Sequence, residues 1–168
     1  MFEGDYFTIP YDLFDQTDRE ELLITLEEFD IGYSEKLPFG KLAPLQRLRC
    51  LDLTGVHLHP DTFRMEVCTL TELRMLTLMY ANIREIPREI SNLVHLEHLC
   101  LRGNYIETLP DEMANLRELK ELNLIDNRIS ELPDFLVDLP NVKSISIWGN
   151  LVKPSQVRRR EGVDFYFR

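Results

Sequence analysis

From Leu45 onward one pattern returns at nearly constant spacing: L-x-x-L-x-x-L-x-L-x-x-N-x-I-x-x-L-P followed by a short apolar-bearing stretch. Its clearest copies run from Leu93 ("LVHLEHLCLRGNYIETLPDEMAN") and from Leu116 ("LRELKELNLIDNRISELPDFLVD"), 23 residues each. Aligning the apolar pairs gives Leu51/Leu53, Leu76/Leu78, Leu99/Leu101, Leu122/Leu124 and Ile145/Ile147, with offsets of 25, 23, 23 and 23. A single copy of this length cannot bury its own apolar face, so copies must stack side by side, each covering the next.

The L-x-L pair alternates with period two, the mark of a short strand with one buried face. Leu99 and Leu101 then point inward, and His98, Cys100 and Arg102 point outward. Beyond each strand Asn104, Asn127 and Asn150 recur, where an amide can satisfy the backbone donors and acceptors of buried turns in adjacent copies. Earlier copies carry Val56 and Ala81 there instead, with Asn82 one residue late. The proline of the L-P step falls outside any sheet ladder, and a short helical or extended stretch returns Ile90 and Leu93, or Met113 and Leu116, to the core. Strands crowded on one side against bulkier connections on the other bend the stack, which makes the sheet face concave.

The signature resembles that of the leucine-rich repeat family. Its 23-residue L-P-bearing copies resemble the cytosolic "typical" class of Ras-pathway scaffold and plant intracellular proteins. The resemblance implies an α/β solenoid: a short horseshoe with a parallel concave sheet of about six strands and short helical or extended convex connections. The expected divisions are an N-terminal cap with a degenerate first repeat over residues 1–44, repeats over 45–150, and a C-terminal cap over 151–168. Residues 20–31 fit either a capping helix, with Leu22, Leu23, Leu26 and Phe29 on one side, or a repeat with Ile24/Leu26 as its apolar pair. The period of 27 to Leu51/Leu53 favours the repeat. The 25-residue copy has lost its L-P step, and Phe63, Val67 and Leu70 behind Pro60-Asp61-Thr62 predict a two-turn helix capped by Asp or Thr, carrying a half-buried Cys68. At the other end "SQVRRREG" suits a helical turn, and "VDFYF" a final strand with Phe165 and Phe167 on one face.

Acidic residues outnumber basic ones 29 to 19, for a formal charge of −10. Such a chain is repelled by nucleic acid and by anionic membrane, so neither is an expected partner. The run Arg158-Arg159-Arg160 reads as the solvated face of a terminal helix. No apolar span is long enough for a membrane helix, and acids within the first five positions argue against a secretory signal. Cys50, Cys68 and Cys100 have no ligand-like spacing. Extracellular members of the family close their ends with clustered cysteines, so the resemblance implies the cytoplasm. His57, His59, His95 and His98 form no recognised metal or base–nucleophile constellation, so neither a cofactor nor catalysis is expected.

The residues flanking the inward leucines define three outward columns. The first runs Cys50, Met75, His98, Glu121, Ser144; the second Asp52, Thr77, Cys100, Asn123, Ser146; the third Thr54, Met79, Arg102, Ile125, Trp148. A soluble sheet face has no folding need for Met79, Ile125 and Trp148, and an arginine among apolar groups has the composition of an interface hot spot. The expected protein-binding residues are Met79, Arg102, Ile125 and Trp148, bordered by Tyr80, His98, Met75 and Asn123; the competing expectation for Trp148 is that the C-terminal cap folds over it. A non-catalytic module gripping one protein partner follows, as adaptor, scaffold or regulator. The resemblance implies signalling partners such as GTPases and phosphatases. The alternatives are a weakly self-associating structural component and an effector or immune-type recognition fragment.

Overall fold

The structure, a computed structural model, describes residues 17–23 and 40–167. The expected cap over residues 1–20 and most of the degenerate repeat therefore lie outside the described residues. Seven three-residue strands follow in chain order: β1 (Glu21–Leu23), β2 (Cys50–Asp52), β3 (Met75–Thr77), β4 (His98–Cys100), β5 (Glu121–Asn123), β6 (Ser144–Ser146) and β7 (Asp164–Tyr166). Among the described residues they form one open parallel sheet in the order β1 to β7, in keeping with the expected parallel sheet of about six repeat strands and a final strand in "VDFYF". The register aligns Leu22, Leu51, Leu76, Leu99, Leu122, Ile145 and Phe165 across the sheet. All but Phe165 are buried, and Phe165 packs on the edge of the core.

β1 corrects the first repeat's register. Leu22 pairs with Leu51, so the apolar strand residue lies two positions before the expected Ile24, and residues 21–23 are strand rather than helix. The periodic reading fails here because this copy has a longer connection than the others, and spacing alone cannot say which of several nearby leucines turns inward.

The prolines of the L-P step do what their geometry allows. Pro87 and Pro110, both extended, stand immediately before short 3-10 turns at Arg88–Asn92 and Asp111–Asn115. Each turn drives one apolar side chain, Ile90 or Met113, into the core. The third copy makes the same return with a helical turn, α2 (Phe135–Asp138), which buries Leu136 and Val137. In the 25-residue copy a helix, α1 (Pro60–Met65), replaces the step. Its N-cap is His59, whose Nδ1 accepts from the Asp61 amide at 3.2 Å, not the expected Asp or Thr. Pro60 takes the first helical position, where its missing N–H costs nothing, and that places the cap two residues before Asp61. Cys68 lies past this helix in the 3-10 turn Val67–Thr69 and is fully buried, not half-buried.

The asparagine ladder is built as the sequence implies. Asn127 Oδ1 accepts from the Ile106 amide at 3.1 Å, and its Nδ2 donates to the carbonyls of Leu101 and Leu124 at 2.9 and 3.1 Å. Asn150 repeats this one step on, with Ile129, Leu124 and Ile147. Asn104 does more: its Oδ1 accepts from both Ala81 and Ile83 amides. Asn82 stays outside the ladder, exposed, in a left-handed turn at φ 59°, a conformation that asparagine tolerates. At the C-terminal end only Pro154–Gln156 forms a 3-10 turn. The arginines 158–160 lie beyond this turn and not on a helix; Arg158 and Arg159 are exposed, and each of the three has a contact: Arg158 with Asp138 at 2.7 Å, Arg159 over the Phe167 ring at 5.3 Å, Arg160 with the Leu139 carbonyl at 3.1 Å.

Candidate functional site

The strand register turns the three sequence columns into three physical rows. The first runs Glu21, Cys50, Met75, His98, Glu121, Ser144, Asp164, and the second Leu23, Asp52, Thr77, Cys100, Asn123, Ser146, Tyr166. The third lies past the strand ends, where sheet-type bonding nevertheless continues. The carbonyls of Met79, Arg102, Ile125 and Trp148 accept in turn from the amides of Gly55, Tyr80, Gly103 and Asp126, at 2.7 to 3.0 Å. Each third-row residue is thus held by the repeat before it, and the four side chains stand at successive repeat spacings.

Trp148 is 44% exposed, so β7 does not bury the indole, and Met75 is 43% exposed. Met79, Ile125 and Arg102 are half-buried. The Arg102 guanidinium does not swing freely: its Nε lies 3.3 Å from Asp126 Oδ2. His98 Nδ1 meets Glu121 Oε2 at 3.1 Å across the β4–β5 pair. Asn123 turns back on its own chain, its Oδ1 accepting from the Ile125 amide at 3.1 Å, as Asp52 does for Thr54 at 2.9 Å. Both side chains end a strand and fix the residue two positions on, Ile125 or Thr54, in the third row. At the centre of the face Met75, Thr77, His98, Cys100, Asn123 and Ser146 are among the residues lining a shallow depression of about 250 Å³.

A fourth row, not recognised from the sequence, supports the third. Gly55, Tyr80, Gly103, Asp126 and Gly149 occupy equivalent positions, and all have positive φ, between 53° and 78°. The order alternates between glycine and a larger side chain for a steric reason. A Cβ on Gly103 would strike the Tyr80 ring, and one on Gly149 would strike the Asp126 carboxylate. The larger residue therefore lies across the glycine of the following repeat. Tyr80 packs beside the site in this way, and Asp126 is placed to take Arg102. The signal was present as glycine recurring at every second repeat, 48 and 46 residues apart, but a tyrosine in a left-handed turn is not read from propensity.

Charges along the row that precedes the strands are paired from Glu20 to Lys120. Arg49 meets Glu20 at 3.1 Å, and Glu97 takes Arg74 at 2.7 Å on one side and Lys120 on the other. The Lys120 hydrogen bond, followed by that of Arg74, holds the Glu97 carboxyl below its ordinary range. Burial pushes the Cys68 thiol up to about 12 and raises that of Cys100. The three cysteines are free, with Cys50 Sγ 3.7 Å from Met75 Sδ. Among the described residues no group of three or more His, Cys, Asp or Glu is arranged to hold a metal, and no helix is long and apolar enough to cross a membrane. A second groove of about 470 Å³ lies beside α1, between His57, Pro60 and Phe63 on one side and Asn82, Arg84 and Glu85 on the other. It opens where the 25-residue copy departs from the common connection.

Comparison with known proteins places this geometry. A leucine-rich repeat region model matches residues 33–158, more than half of the chain. A leucine-rich repeat protein of Leptospira interrogans superposes with a TM-score of 0.78 at 28% identity, over 96% of this chain and 40% of its own. The ectodomain of the Arabidopsis receptor kinase HAESA, solved with a peptide hormone ligand, superposes at 0.69 with 26% identity, over 85% of this chain and 24% of its own. An internalin of Listeria monocytogenes shares the fold at a TM-score of 0.66 and 21% identity, over 83% of this chain and 38% of its own. The chain thus spans less than half the length of each. No curated protein matches.

Proposed function

The chain belongs to the leucine-rich repeat family, and from that premise we propose that it is a non-catalytic interaction module that holds one protein partner on its strand face. The observation that carries this is the third row: Met79, Arg102, Ile125 and Trp148 at successive repeats, each carbonyl bonded to the preceding repeat, with the indole open to solvent. Apolar groups around a guanidinium that is already oriented lose little side-chain freedom on binding, which favours a hot spot there. Arg102 keeps its remaining donors beyond the Asp126 contact for a partner's carboxylate or carbonyl. Members such as HAESA, which was solved with a bound peptide, use this architecture for recognition. An adaptor, scaffold or regulator of a signalling protein in the cytoplasm is the role we favour; the free state of Cys50, Cys68 and Cys100 supports a reducing compartment.

Affinity capture with the wild-type chain and with a W148A/R102E variant tests this, with both proteins checked for equal thermal stability. We expect the variant to lose a defined partner that the wild type retains. Recovery of the same partners at equal affinity would remove the strand face from consideration.

Self-association is the second reading, favoured by the two sheet edges. Among the described residues, β1 and β7 each pair on one side only, and Leu23, Leu151 and Tyr166 near those ends are 60%, 68% and 51% exposed. Light scattering up to about 100 μM decides it, since a stable interface buries over about 1,000 Å² and survives at that concentration. A strictly monomeric mass rules it out.

A further inference from the structure

The first row of the strand face sets three soft-metal donors side by side, although they are separated by 25 and 23 residues in the chain: Cys50, Met75 and His98. Cys50 and Met75 are direct partners across β2 and β3, and Met75 and His98 across β3 and β4. The two sulfurs already stand 3.7 Å apart, the separation of two sulfurs bound to one ion through bonds of about 2.3 Å at an angle of about 107°. Here the Cys50 thiol donates to the Met75 thioether, and an ion would take the place of that proton. Met75 is 43% exposed, so an ion reaches the pair from solvent.

His98 adds the third donor in a prepared state. Its Nδ1 lies 3.1 Å from Glu121 Oε2, and a proton on Nδ1 donated to that carboxylate leaves the Nε2 lone pair for a metal. This is the carboxylate–histidine support found behind many metal-ligating imidazoles. Two carboxylate residues flank Cys50: Glu21, its direct partner on β1, and Asp52, two positions on in β2. Their negative charge favours a cation bound at the thiolate.

We propose that the strand face carries a site for a soft monovalent metal ion, Cu(I) or Ag(I), held by the Cys50 thiolate, the Met75 thioether and His98 Nε2. A thiolate beside a thioether selects such ions over Zn(II) and over hard divalent cations, which thioethers bind poorly. Binding forms the three metal–ligand bonds and releases the Cys50 proton to solvent, with no change of oxidation state. Cysteine spacing in the sequence argues against a metal because the third ligand type is methionine and because the ligands come from three different repeats. The sheet register alone brings them together.

The test is an anaerobic titration of the full chain with Ag(I), read by calorimetry and by thiolate-to-metal absorbance. A second titration with Cu(I) against a chromophoric Cu(I) chelator completes it. We expect one ion per chain. Affinity should fall about tenfold or more in Met75→Leu and in His98→Ala, the usual cost of losing support or a ligand at such a site, and about a hundredfold or more in Cys50→Ser. Cys100→Ser should bind as the wild type does, and excess Zn(II) should not displace the ion. Met75→Leu keeps the shape and apolar character of an exposed side chain, so it tests the sulfur without disturbing the fold. Circular dichroism melting of each variant confirms this. The proposal is overturned if no ion binds, if either Met75→Leu or His98→Ala retains wild-type affinity, or if binding follows Cys100 instead of Cys50. Each of those results is the behaviour of an ordinary exposed thiol. The outcome is separate from that of the partner test, which varies Trp148 and Arg102.

Discussion

Replacing an asparagine of the ladder by alanine strands a countable set of buried backbone groups, and the count differs along the ladder. In Asn127→Ala the Ile106 amide loses its acceptor outright. The Leu101 carbonyl keeps its bond from Asn104, and that of Leu124 keeps its bond from Asn150, so each loses one of two donors. One orphaned buried N–H costs about 1–3 kcal/mol, and each half-satisfied carbonyl adds a fraction of a typical net bond of about 1 kcal/mol. The loss of stability should therefore be about 2–3 kcal/mol. Asn104→Ala strands two amides, those of Ala81 and Ile83, and removes a donor from the Leu78 carbonyl. It should cost about 1 kcal/mol more than Asn127→Ala by the same reasoning. Asn150→Ala is the mildest, since that side chain is only part-buried and water can reach the amide it serves. Urea denaturation measures the order directly. With a slope of about 2 kcal/mol/M, Asn127→Ala should lower the midpoint by about 1 M, Asn104→Ala by more and Asn150→Ala by less. A loss below about 0.5 kcal/mol for both inner positions would show that the ladder does not carry the turn hydrogen bonds.

Gly103→Ala meets both a positive φ of 71° and the Tyr80 ring, so it should destabilise by about 1–3 kcal/mol. Adding Tyr80→Ala should recover part of that in a double-mutant cycle, and strict additivity would mean that the two do not touch. Glu97 has its carboxyl depressed by Lys120 and Arg74, so its contribution to stability is present above its ordinary value of 4.5 and is lost as pH falls through the depressed one. Glu97→Gln should accordingly lose less stability than the wild type on denaturation titrations carried from neutral into acid, and identical acid limbs would discount the pairing. In the native protein at mildly alkaline pH, maleimide should label Cys50 and leave Cys68, buried with its thiol near 12, untouched until denaturant is added; intact-mass spectrometry reads the sites. Partner affinity should fall less than about threefold between about 50 and 300 mM salt, because the charges nearest the strand face are already paired within the chain. A tenfold loss of association rate would move the contact to the acidic N-terminal region.

The repeat period alone determined the inward row from Leu51 to Ile145, the outward rows beside it and the asparagine positions, because a solenoid maps equal sequence spacing onto equal spatial position. Those positions were legible because the same residue types return at them from copy to copy. What did not recur was decided in three dimensions. Leu22 rather than Ile24 entered the first strand because that copy's connection is longer and several leucines there compete for one inward place. His59 became a helix cap because Pro60 took the position after it. Tyr80 and Asp126 adopted left-handed turns because the glycine one repeat further on left space beneath them. Trp148 stayed partly open since β7 pairs with β6 through the residues before it and does not bury the indole. Contacts between repeats of this kind, including that of Cys50 with Met75, depend on which side chains become neighbours across a strand pair. That is a property of the register rather than of any one copy, so only the assembled sheet displays it.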